Sequence, residues 1–133
     1  YLKKHCPRVL YISLVDSDEN GHAGNYPGYI RALRSYDQYL KTLVSTLDGM
    51  GEYGKNTTLF VSTDHSRGRG PFWVGHGNTP FTERNIFLYV KGPQVTKTGR
   101  QKDRANHLYL RPTFEKIMGL TPSSDKILPN LSL

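Results

Sequence analysis

The sequence predicts an α/β fold, with apolar strands and a crossover helix forming a mostly parallel sheet covered by helices. Three observations predict it. Two short apolar runs rich in β-formers, residues 8–14 and 57–63, flank a long amphipathic repeat at residues 27–47. Apolar strands separated by a crossover helix are the pattern of a parallel sheet with helices on its faces. Both strong strands run into polar segments carrying acids and histidines, and in such sheets ligands bind beyond the carboxyl ends of strands.

The first strand is Arg-Val-Leu-Tyr-Ile-Ser-Leu at residues 8–14, short enough and apolar enough to be buried. Residues 15–21 are polar and read as a loop. Residues 27–47 read as a helix. Tyr29, Ile30, Leu33, Tyr36, Leu40, Leu43, Val44 and Leu47 recur at three- and four-residue steps, with Arg31, Arg34, Gln38 and Lys41 opposite. Pro27 suits its first turn, and Gly49 and Gly51 suit its end. Residues 52–56 read as a turn and 57–63 as a second buried strand, leading into Asp64 and His65. Residues 66–82, rich in Gly and Pro, read as a long loop. A third strand is expected at 85–90, closed by Lys91, Gly92 and Pro93. Residues 94–106 look turn-like. A last helix begins at Arg111 or Pro112, runs to about Met118 and stops at Gly119, leaving 121–133 irregular.

Composition narrows the function. At 133 residues the chain can bury one core, so it is one domain or part of one. No run approaches the roughly 20 apolar residues of a membrane span. It begins with Tyr1 and has no apolar leader core, so it reads as a piece of a longer protein whose N-terminal remainder is a partner. Cys6 is the only cysteine, which rules out an internal disulfide and a Cys-rich zinc site. Eighteen basic and eleven acidic residues give a formal charge of +7. The cations are scattered and form no recognisable nucleic-acid module. Nucleic acid is therefore not the expected partner, and a cleft that draws in an anionic substrate fits better.

The residues that carry chemistry lie at strand ends. Asp16, Asp18 and His22 follow the first strand, Asp64 and His65 end the second, and His76 lies in the loop beyond it. Alone, Asp16 or Asp18 is a turn-former, Asp64 a helix cap, and His22 or His76 a loop histidine. Together, carboxylates and imidazoles from three segments make a donor set suited to zinc, manganese or iron rather than calcium or magnesium alone. Adjacent Asp64 and His65 can face two ions, as in sites whose metals lie roughly 3.5–4 Å apart. His5 reads as a surface residue, His107 as surface or as a support to the cluster, and Cys6 as structural.

At these residues the sequence resembles the alkaline phosphatase superfamily, which includes phosphodiesterase/nucleotide pyrophosphatases, sulfatases and cofactor-independent phosphomutases. The matching motifs run in order along almost the whole chain. They are Asp18-Glu19-Asn20-Gly21-His22, a helix with an internal Asp37, Thr63-Asp64-His65-Ser66, His76-Gly77, Gly92-Pro93, and Pro112-Thr113-Phe114 followed by Met118-Gly119-Leu120. Ser66 stands where the family commonly has Gly. The resemblance implies a three-layer α/β/α sandwich with a mostly parallel sheet, of which this chain is the C-terminal part of the catalytic domain.

It also implies two divalent metal ions, zinc or manganese. Asp18, His22 and His76 would hold one, and Asp64 and His65 would help hold the other. Asp18 is preferred to Asp16 for its spacing to His22, and Asp37 would be structural, bonding to a backbone turn. The implied activity is hydrolysis of phosphate or sulfate esters, of the sulfatase or phosphodiesterase kind, on an anionic ester substrate. The nucleophile would lie upstream, since Ser66 is a weak candidate, and no catalytic residue is expected here. Arg67 or Arg69 could contact the anion. Other readings are a phosphomutase fragment, a non-catalytic metal- or anion-binding domain, and a basic nucleic-acid-binding domain. The resemblance favours a periplasmic or secreted setting.

Overall fold

A computed structural model of the chain describes residues 1–77, 85–96, 99–102 and 104–133. The described elements are α1 (Leu2–His5), α2 (Asp16–His22), α3 (Tyr26–Asp48), α4 (Gly51–Lys55), β1 (Leu59–Ser62), β2 (Leu88–Lys91) and α5 (Leu110–Ile117). Two 3₁₀ turns occupy Gly70–Val74 and His107–Tyr109. The fold is mixed α/β. None of the described helices is long and apolar enough to cross a membrane.

Helix α3 forms where its pattern predicts. The Asn25 side chain accepts the Gly28 N–H at 3.1 Å, and Pro27 lies in the first turn, where a missing N–H costs nothing. Gly28, Ala32 and Leu47 are buried, although Leu33, counted in the apolar stripe, is exposed. Gly28 is where α2 approaches, because a Cβ there would overlap the Asn20 carboxamide. The helices are also tied by Ser17 N–H donating to the Tyr36 hydroxyl at 2.9 Å.

Strands β1 and β2 pair antiparallel, with Leu59 opposite Lys91 and Ser62 opposite Leu88. The mostly parallel sheet expected is not seen among the described residues, whose one pair of strands is antiparallel. No crossover helix of the length of α3 lies between them among the described residues, so nothing imposes the parallel arrangement. Helix α5 packs on β1 through an edge-to-face contact of Phe114 with Phe60, centroids 4.9 Å apart. It stops as expected. Gly119 takes φ 74°, and Leu120 N–H reaches back to the Glu115 carbonyl at 2.8 Å. The tail is irregular but pinned. Fully buried Thr113 donates to the Tyr109 carbonyl at 2.6 Å and accepts Leu128 N–H at 2.9 Å. Val95 bridges to Leu131.

Three further expectations change. Residues 8–14 form no strand and are exposed, with Val9 66% and Tyr11 85% accessible. A strand needs a neighbour for its ladder, and among the described residues none lies beside this run. The polar run at 15–21 is largely helix α2, because Asp16, Asp18 and Glu19 sit in the first turn, where the helix dipole favours acids. The expected turn at 52–56 is largely α4, and the loop expected at 66–82 contains a 3₁₀ turn. Residues 78–82 of that loop, and 97, 98 and 103 of the turn-like stretch, lie outside the described residues. The accessible surface is 9,982 Å², against about 7,000 Å² for an ordinary monomer of this mass.

Candidate metal centre

All five residues expected as ligands come together. Helix α2 supplies Asp18 and His22, four residues apart and so on one helix face. His22 Nε2 lies 3.3 Å from Asp18 Oδ2. The chain beyond β1 supplies Asp64 and His65, and the segment after the first 3₁₀ turn supplies His76. His65 Nε2 lies 3.8 Å and His76 Nε2 3.7 Å from Asp18 Oδ1. His22 and His76 bring their Nε2 atoms to 3.1 Å. The rings of His65 and His76 stack, centroids 3.6 Å apart.

Asp18, His65 and His76 form one group whose donor atoms all lie within 4.8 Å of one another, and His22 adjoins it through Asp18 and His76. The resemblance implies one ion on Asp18, His22 and His76 and a second on Asp64 and His65. Asp64 is the outermost member. Its side chain is 86% exposed, its Oδ2 is 3.5 Å from His65 Nε2, and its Oδ1 accepts the His65 N–H at 2.9 Å.

The donor set fits a divalent cation. Nitrogens about 2.0–2.1 Å from a tetrahedral zinc lie roughly 3.3–3.4 Å from one another, and the separations above bracket that value. His65 Nδ1 lies 3.0 Å from the Ser66 carbonyl. That carbonyl can only accept, so Nδ1 carries the proton and Nε2 turns its lone pair toward the cluster. The same arrangement orients histidine ligands in metal sites generally.

Arg67 belongs to the site in a way its sequence position did not reveal. It is not a solvated loop cation, because its side chain is only 10% exposed and its terminal nitrogens bond to protein oxygens. Nη2 donates to the Asp18 carbonyl at 2.6 Å and to Asp18 Oδ1. Nη1 donates to the carbonyls of Trp73 at 3.3 Å and Val74 at 3.1 Å. Gly21 makes room, since a Cβ there would overlap the guanidinium. Arg69 is exposed.

The other candidates separate cleanly. Asp16 is exposed at the start of α2, and its carbonyl accepts from Asn20 at 2.7 Å. Asp37 is exposed within α3. His107 Nε2 lies 3.0 Å from the Thr63 carbonyl, next to Asp64. His5 is exposed and stacks on Tyr1, and Cys6 is exposed. The helical form of α2 was missed, although the four-residue step from Asp18 to His22 was its signal.

A family model described as Metalloenzyme superfamily matches residues 2–122. Among curated proteins, a phosphopentomutase of Pectobacterium atrosepticum is 31% identical over 115 residues, covering 86% of this chain and 25% of that protein. A phosphopentomutase of Carboxydothermus hydrogenoformans is 29% identical over 125 residues, covering 91% and 29%. One of Pseudoalteromonas translucida is 33% identical over 92 residues, covering 62% and 22%. The chain thus spans about a quarter of the length of the curated relatives it matches. No solved structure matches it significantly.

Proposed function

Because this chain belongs to the Metalloenzyme superfamily, we propose that it carries the cation-binding residues of an alkaline-phosphatase-like enzyme that moves a phosphoryl group on a phosphorylated sugar. The observation that carries this reading is the convergence of Asp18, His65 and His76, with His22, from three separate segments. Relatives named phosphopentomutase favour transfer within a sugar phosphate over release of phosphate or sulfate to water. Ester hydrolysis, to which the resemblance first pointed, becomes the second reading.

Asp18, His22, His65 and His76, with Asp64 at the edge, would hold two divalent cations, zinc or manganese. Such ions polarise phosphoryl oxygens and neutralise the charge that gathers on them. The side chains have their own tasks. His65 keeps its Nε2 lone pair turned inward through the Ser66 carbonyl. Asp18 offers the site negative charge while Arg67 offsets part of it. The net charge of +7 favours an anionic substrate. The nucleophile and the sugar-binding surface are assigned to other parts of the polypeptide.

The proposal extends to the fold. Residues 8–14 would pair as a strand in a larger sheet, giving the three-layer α/β/α sandwich of the superfamily. Their apolar exposure and the excess accessible surface support this.

The test is to supply the complete enzyme and manganese or zinc with a pentose 5-phosphate and follow phosphorus NMR. Growth of a second sugar-phosphate isomer, lost in His76→Ala, is the expected result. Release of inorganic phosphate, or turnover of nitrophenyl phosphate or sulfate alone, would favour hydrolysis. Bound metal without any turnover would favour a non-catalytic binding domain.

A further inference from the structure

A guanidinium at the centre of a cation site calls for a reason. Arginine stays protonated, has no acceptor and cannot be a ligand. Its four contacts with Asp18, Trp73 and Val74 occupy both terminal nitrogens, so it has little left to offer a substrate anion. The acceptors lie on α2 and on the 3₁₀ turn that leads to His76, while Arg67 itself stands two residues after His65. One side chain therefore fastens together the three segments that carry Asp18, His65 and His76. Gly21 leaves the space it fills.

We propose that Arg67 is the positioning residue of the centre: it clamps Asp18 to the Trp73–Val74 carbonyls and so holds the donors in register before a cation arrives. This rests on the metal reading above. The clamp takes one lone pair of Asp18 Oδ1 and leaves Oδ2 beside His22. Its positive charge opposes a second cation, but three carbonyls and one carboxylate already surround it. The advantage gained is preorganisation, because ligands held in place need not be ordered during binding. A lysine keeps the charge but lacks the planar fork that reaches several acceptors at once.

The experiment compares the full chain with Arg67→Lys. Zinc affinity is read by competition with a chromophoric chelator, the cobalt-substituted absorption spectrum reports ligand geometry, and circular dichroism checks the fold. The expected result is an affinity loss of roughly 10–100-fold, the scale seen when a ligand's supporting partner is removed. An altered cobalt spectrum and a retained far-ultraviolet spectrum should accompany it. Guanidinium added to Arg67→Ala should restore part of the affinity. If Arg67→Lys does not fold, Gly21→Ala, which displaces the guanidinium without removing it, should give the same loss. Wild-type affinity and spectrum in a folded Arg67→Lys, or tighter zinc binding in Arg67→Gln, would overturn the clamp while leaving the metal reading intact. No zinc bound by the wild-type chain would overturn both.

Discussion

The Nε2 atoms of His22 and His76 lie 3.1 Å apart although 54 positions separate them in the chain. Two imidazole nitrogens at that distance either share a proton or face a common cation. The second case predicts that His22→Ala and His76→Ala each weaken zinc binding by more than about 10–100-fold, the range for losing only a supporting partner. Isothermal titration checks this. Equal affinity in wild type and both variants would favour a shared proton.

Asp64 sits at the margin of the cluster, 86% exposed and nearest to His65. If the proposed metal reading holds, Asp64→Ala should therefore lower metal content less than loss of a residue at the middle of the cluster does. Elemental analysis after dialysis should show a partial loss for Asp64→Ala and a larger one for Asp18→Ala. The stability contributed by metal should fall with occupancy, since ligands that bind only the folded chain stabilise it.

Thr113 is fully buried, and its hydroxyl serves both Tyr109 and Leu128. Thr113→Val keeps the shape but leaves the Leu128 N–H without its acceptor. An unsatisfied buried donor costs about 1–3 kcal/mol. Urea unfolding should show that loss, and amide exchange should show faster opening around Leu128.

Glu115 accepts hydrogen bonds from Arg111 and from Ser123, and these hold its carboxyl down at about 2 from the ordinary 4.5. The folded carboxylate thus binds a proton less readily than the unfolded one. Its stabilising effect is complete above pH 4.5 and is lost as pH falls toward 2. Glu115→Gln should flatten that part of the stability curve, with little change in metal affinity. Urea midpoints measured across the window test it.

If residues 8–14 join a larger sheet, their amides should exchange slowly in the complete enzyme. Rapid exchange at Leu10 and Ile12 would count against the sandwich.

The sequence by itself determined the local elements whose signals are local. The three- and four-residue recurrence in α3, the Asn25–Pro27 start and the Gly119 stop needed only near neighbours. It also determined the chemistry on offer, because Asp18, His22, Asp64, His65 and His76 are the residues that meet. Tertiary structure alone decided which of their side chains lie side by side. His65 joins Asp18 and His76, and Arg67 turns inward, because α3 fixes α2 through Tyr36 and the 3₁₀ turn presents its carbonyls. Tertiary structure also decided that β1 and β2 pair antiparallel, and that the apolar run at 9–14 stays exposed. A strand's hydrogen bonds and a guanidinium's acceptors come from elsewhere in the chain, so periodicity within one segment carries no record of them.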